Sequence, residues 1–232
     1  MNKAVLSFLC GAVIALAAPV PAHSAAGDNG DFAVEVVFSS SLQKLLPRID
    51  RVERAQEQRF RQYRDSHGLP TRTARRFTAS RFTNVKWANE SLVEDVEAYG
   101  VKNLLAAMLR ENLGRAAPAG YSDRIRVTLE RLHVANHALS VLAGGNTYAM
   151  GTVERLDPAS GAVIETHKVS AQLSPNFTSN PNYRGSDFPF SKDDRANRMG
   201  PILAEFAKAS LGRLLPDKDM ADPVLVLVDA TF

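Results

Sequence analysis

Apolar and polar positions along the chain change period several times, and each change marks an element. Phe32-Ala33-Val34-Glu35-Val36-Val37-Phe38 is a β-branched run with the length of a buried strand. Leu42, Leu45, Leu46, Ile49 and Val52 then recur at helical spacing. Phe60 and Tyr63 carry that stripe through a charged stretch that stops at His67-Gly68-Leu69-Pro70. Pro47 interrupts the pattern, which predicts that the regular helix begins there and that Ser39–Leu46 is a separate turn. Thr71–Arg81 is basic and without period, a loop, and Phe82–Trp87 has the composition of a short strand. Asn89 is placed to cap a helix through Leu92, Val93 and Val96. A stronger helix follows on Val101, Leu104, Leu105, Met108, Leu109 and Leu113, closed by Gly114 and Pro118.

From Arg124 the period drops to two. Ile125, Val127 and Leu129 point to one face, and Leu132 and Val134 fall out of phase with them, which predicts a bulge at Glu130-Arg131. Thr147–Leu156 and Ala162–Val169 flank Asp157-Pro158-Ala159-Ser160-Gly161, a turn with proline early and glycine late, and so form an antiparallel hairpin. Residues 171–194 are rich in Ser, Asn, Pro and Gly and read as a long loop. Asp193 or Asp194 is placed to cap a helix carrying Met199, Ile202, Leu203, Phe206, Leu211, Leu214 and Leu215, and Val224–Val228 is a last buried strand. Elements in this order predict an α+β domain, in which three to four helices pack in two layers on a mixed, largely antiparallel sheet of five to six strands.

The start of the chain changes the setting. Met1-Asn2-Lys3 is basic, Ala4–Ala18 is small and apolar, and Ala22-His23-Ser24 supplies the small residues that signal peptidase reads. The apolar stretch is shorter than the roughly 20 residues of a spanning helix. The expected organisation is therefore residues 1–24 as a cleaved leader, 25–31 as a disordered lead-in, and 32–232 as one α+β domain. The expected address is periplasmic or secreted, without a transmembrane anchor after cleavage. Cys10, the single cysteine, lies inside the leader, so disulfides, thiolate metal sites and a cysteine nucleophile are not expected in the processed chain. The net charge of +3 conceals an asymmetry: between Lys44 and Arg81 eleven Lys/Arg stand against four Asp/Glu.

That basic region carries the clearest binding signal. Arg51, Arg54, Arg59, Arg61 and Arg64 belong to the first helix, and Arg72, Arg75, Arg76 and Arg81 to the loop after it. Guanidinium forks suit phosphate and carboxylate, so Arg59, Arg61, Arg64, Arg72, Arg75, Arg76 and Arg81 form a candidate anion-binding patch. The bland alternative is a solvated face balanced by Asp50, Glu53, Glu57 and Asp65. Phe177, Tyr183, Phe188 and Phe190 are the second candidate: they either line an apolar groove under the 171–194 loop or pin it to the domain. His133 and His137 would share a helix face and grip a metal, but the preceding residues alternate as a strand, so they read as histidines at a strand end. His167, facing across the hairpin, keeps a three-histidine cluster open. Asp193-Asp194 reads as helix capping rather than a catalytic pair. There is no Gly-x-Ser-x-Gly elbow, phosphate loop or dinucleotide fingerprint. No cofactor, metal or nucleic acid is expected.

Arg124-Ile-Arg-Val-Thr-Leu, Ala138-Leu-Ser-Val-Leu-Ala-Gly-Gly and Gly151-Thr-Val-Glu-Arg-Leu-Asp157-Pro-Ala-Ser-Gly161 resemble the C-terminal half of poorly characterised proteobacterial envelope families. These are similar to ABC-transporter auxiliary and small periplasmic assembly proteins. Many such relatives are lipoproteins, whereas this chain lacks a lipidation cysteine. The resemblance implies a non-enzymatic envelope component and no catalytic residue. Together these readings lead to an exported binding or envelope-assembly accessory protein that works through its basic patch on an envelope protein, anionic lipid or lipopolysaccharide. The alternative is a periplasmic hydrolase with a dispersed site covered by the 171–194 loop.

Overall fold

A computed structural model describes residues 32–67, 86–135, 146–173, 185–191 and 198–226, with side chains of the first helix described through Gln62. The expected leader and lead-in, the loop over Thr71–Arg81 and most of the strand over Phe82–Trp87 lie outside the described residues. The chain order is β1 (Val34–Phe38), α1 (Ser40–His67), α2 (Ala88–Leu92), a 3-10 turn (Val96–Ala98), α3 (Val101–Ala116), β2 (Arg124–His133), β3 (Tyr148–Leu156), β4 (Val163–Gln172), β5 (Phe188–Ser191), α4 (Met199–Leu214) and β6 (Pro223–Val226).

The fold is α+β with a mixed sheet. The expected single sheet of five to six strands is instead a four-stranded sheet in the order β1-β2-β3-β4 and a separate parallel pair, β5-β6. β1 runs parallel to β2, with Val36 opposite Val127, and the other two pairings of the main sheet are antiparallel. The β3–β4 hairpin forms as the turn sequence predicts. Asp157 Oδ1 accepts from the Ala159 and Ser160 amides and the Ser160 hydroxyl, and Gly161 takes the positive φ of 70° that its position demands.

The bulge in β2 also falls where the phase slips, between Leu129 and Arg131. A bulge leaves backbone groups without ladder partners, and Ser39 supplies them. Its amide donates to the Leu129 carbonyl at 3.1 Å and its hydroxyl to the Glu130 carbonyl at 2.8 Å. The same hydroxyl accepts from the Leu42 amide at the start of α1, so one side chain joins the β1–α1 junction to the bulge.

Register divides the main sheet into two faces. Val36, Val127, Val153 and Val169 lie on the inner face and are buried with Leu129, Ala149, and Met199, Ile202, Leu203 and Phe206 of α4. Among the described glycines, Gly151 has the closest neighbours. A Cβ there would stand 2.0 Å from the Thr128 carbonyl oxygen and 3.1 Å from Phe206 Cζ. On the outer face the rows are mainly polar: Glu35, Arg126, Glu154 and Thr166; Val37, Thr128, Thr152 and Lys168; Arg131, Met150 and Ser170; His133, Tyr148 and Gln172.

Several boundaries differ from expectation. α1 is continuous through Pro47, because that residue and Gln43, whose carbonyl loses its amide partner, both face solvent, where water can replace the missing bond. α2 begins one residue before Asn89, which is buried rather than a cap. α4 begins at Met199 with Arg198 at its cap position; Asp193 and Asp194 lie outside the described residues. Within the stretch read as loop, Ala171 and Gln172 belong to β4 and Phe188–Ser191 forms β5. Pro189 argues against a central strand, but a strand paired on one side only accommodates it.

Two glycines provide a test of this packing. Gly151→Ala is expected to destabilise the domain by about 2 kcal/mol or more, because the methyl group has no room without moving backbone. Gly212→Ala, with nothing within 4 Å of the added Cβ, is expected to stabilise by about 0.5–1 kcal/mol through helix propensity. Urea unfolding of the two variants measures both; a neutral Gly151→Ala would refute the close approach.

Candidate functional site

The outer face of α1 follows from how the helix sorts its charges. Its described side chains include three acids, and all three turn toward the domain. Asp50 Oδ1 accepts from the Val101 amide at 2.9 Å, capping α3, which has no acid in its own first turn. Gly100 makes room for that carboxylate; a Cβ there would stand 3.0 Å from Asp50 Cγ. Glu53 is buried. Glu57, also buried, accepts from Arg61 Nε at 2.8 Å and from Asn89 Nδ2 at 2.9 Å.

Two of the six cations among these side chains are committed to the same inner work. Arg54 donates to the Tyr99 carbonyl at 3.2 Å. Arg61 donates through Nη1 to the Glu94 carbonyl at 2.6 Å and through Nη2 to Val93 at 2.8 Å, closing carbonyls at and beyond the end of α2. The other four cations, Lys44, Arg48, Arg51 and Arg59, are exposed, with Leu45 at 54% and Val52 at 46% relative exposure beside them. The described outer face is therefore basic with an apolar edge, and its nominal counter-charges turn inward, Glu53 and Glu57 buried and Asp50 half-buried.

Of the predicted patch, Arg59 is exposed on α1, Arg61 is a structural clamp rather than part of a free surface, and the backbone of Arg64 lies in α1. Arg72, Arg75, Arg76 and Arg81 lie outside the described residues. So do Phe177 and Tyr183 of the aromatic set. Phe188 and Phe190 are buried in the core on β5, where Arg115 Cζ stands 5.8 Å over the Phe188 ring.

The histidines separate. His133 ends β2 on the outer face, stacked on Tyr148 with ring centroids 5.5 Å apart, whereas His167 pairs with Val153 on the inner face. His137 lies outside the described residues. Among the described residues no group of three or more His, Cys, Asp or Glu is placed to hold a metal. No described helix is long and apolar enough to cross a membrane.

Where the inner face runs out of valines it becomes charged. Arg155 bridges Asp123 at 3.2 Å and Glu165 at 3.0 Å, and His167 Nε2 is 3.6 Å from Glu165. The Tyr121 hydroxyl is enclosed beside this ladder with no hydrogen-bond partner among the described residues. Burial, with Asp123 and Glu165 adding to it against Arg155, pushes the phenol up to about 12.

The inward placement of the acids did have a sequence signal. Asp50, Glu53 and Glu57 recur at spacings of three and four, continuing the face marked by Leu42, Leu46 and Ile49. Polar residues on an apolar stripe indicate partners, and here the partners come from the segment 89–101.

No family model matches the chain, and no curated protein matches it. One solved structure, described as the crystal structure of an uncharacterized protein, aligns over 50% of this chain and 67% of its own at 14% identity with a TM-score of 0.29. A likeness of that extent carries no argument about fold or function.

Arg61→Ala is expected to cost about 3–5 kcal/mol, because it leaves the Glu57 carboxylate, 2% exposed, without its cation. Arg59→Gln should stay within about 0.5 kcal/mol. Chemical denaturation distinguishes the two, and equal effects would contradict the inward and outward assignment. A second expectation concerns alkaline pH. Tyr121 ionises near pH 10 when unfolded and near 12 when folded, so its contribution to stability is complete below pH 10 and lost as pH rises toward 12. Tyr121→Phe should flatten the stability profile in that window, and ultraviolet titration of the folded protein should lose a late-ionising phenol in that variant.

Proposed function

We propose that this chain is an exported, non-enzymatic accessory protein of the cell envelope that docks on an anionic surface through α1 and the arginines that follow it. The observation that carries this reading is the charge sorting of α1. Its described acids turn inward, Glu53 and Glu57 buried and Asp50 half-buried, whereas Lys44, Arg48, Arg51 and Arg59 face solvent beside exposed Leu45 and Val52. A basic helix face with apolar side chains suits a lipid interface, where cations meet headgroup phosphates and the apolar groups enter the acyl boundary. Exposed ion pairs contribute at most about 1 kcal/mol each, so folding stability gives little reason for so many exposed cations on one helix. Export rests on the leader-like start of the chain, and the periplasm is the corresponding address. An acidic envelope protein is the other partner that such a face would accept.

We also take the domain to have two layers, helices over the inner sheet face with the outer face open. The buried valine row on one side and the exposed Lys168 and Ser170 on the other support this arrangement.

Vesicles rich in anionic lipid should bind the protein at low salt and release it as ionic strength rises, since exposed charges are screened beyond about 8 Å at physiological salt. Near such a surface each cation contributes about 1 kcal/mol. Replacing Lys44, Arg48, Arg51 and Arg59 together with Gln should therefore weaken partitioning by about two orders of magnitude or more while leaving the circular dichroism spectrum unchanged. Co-sedimentation measures it. Binding that ignores salt, or no binding at low salt, would overturn the reading.

A further inference from the structure

The outer sheet face holds a second feature, independent of the α1 reading. At the end where β2 stops, His133, Asn146, Tyr148, Met150, Ser170 and Gln172, with Ala171, line an open hollow of about 510 Å3. We propose that this hollow is a saccharide-binding site.

Its composition selects the class of ligand. Among the described residues the lining holds no carboxylate, lysine or arginine, so none of these is matched to a phosphate, a carboxylate or a metal ion. Its apolar wall is Met150 and the ring faces, interleaved with polar groups from each of the three strands that line it, which suits a ligand with both apolar and polar faces. The β2–β3 and β3–β4 ladders pair the lining strands with one another, with His133 opposite Tyr148 and Tyr148 opposite Gln172, so the floor of the hollow presents side chains, and the open edge of β4 lies to one side of it.

What remains is two side-chain amides, a hydroxyl and a pair of stacked rings. Amides and hydroxyls each donate and accept, as sugar hydroxyls do. The weakly polar CH face of a pyranose ring packs on aromatic faces, and the 27° stack of His133 on Tyr148 fixes two such faces before any ligand arrives. Register fixes the rest: Gln172 stands opposite Tyr148, and Ser170 opposite Met150, so the polar groups on β4 sit alongside the ring on β3.

The test is calorimetric titration of the processed protein with chitotetraose, cellotetraose and maltotetraose, each to about 10 mM, a range that covers millimolar affinities. At least one is expected to bind. Tyr148→Ala should weaken it about tenfold or more, and Tyr148→Phe, which keeps the ring, by less than about threefold. Gln172→Ala, at an exposed position where folding is not at stake, should weaken it about threefold or more. The quadruple Gln variant of α1 should bind the sugar as the unaltered protein does, which separates failure here from failure of the surface-docking reading. No heat from any of the three sugars, or binding that both Tyr148→Ala and Gln172→Ala leave unchanged, overturns the proposal.

Discussion

The buried contact among Glu57, Arg61 and Asn89 is the constraint on which the helical half of the domain depends. A carboxylate in the interior is tolerated only when its oxygens are occupied. Here one oxygen takes a guanidinium hydrogen and the other an amide hydrogen, and the remaining guanidinium hydrogens close backbone carbonyls around the end of α2. Asp50 makes the matching bond one element later, at the start of α3. α1 thus grips the segment between the two helices at both ends, and α3 can then place its leucines against β1 and α4.

This commitment of charge has a second effect. A helix that uses its acids on the inside presents mainly its cations on the outside. Structural and surface roles are not competing explanations for the basic stretch; the first produces the second. The main sheet makes a comparable division across its thickness. Val36, Val127, Val153 and Val169 face the helices, whereas the threonines, lysine and serine of the sheet face away, in cross-strand rows that bring Glu35, Arg126 and Glu154 together.

Much of this architecture could be read from periodicity. The alternation of Ile125, Val127 and Leu129, the phase slip after Leu129 and the proline-to-glycine turn at 157–161 each correspond to an observed feature, because each depends on neighbours in sequence. What periodicity could not supply was long-range. β5 was hidden because its proline is acceptable only in a strand with one neighbour, and that neighbour, β6, lies after α4. Pro47 read as a boundary because its cost depends on whether water reaches the carbonyl one turn back. The structural role of Arg61 required the carbonyls of residues 93 and 94, about thirty positions away. The hollow beside Tyr148 is assembled from three strands, so no local window contains it.

The parallel pairing of β1 with β2 bears on the order in which the chain acquires its structure. Val34 lies opposite Ile125, with three helices between them in sequence. β1 is therefore made early in synthesis and has no partner until β2 exists. The β2–β3–β4 meander closes through nearer contacts and is the faster unit to form. The first strand of the domain is then among the last to dock, and until it does its edge stays open to misassociation or to a protein that holds the chain unfolded. Ser39 sits at that late junction, so the bonds it makes to the bulge record the completion of the sheet.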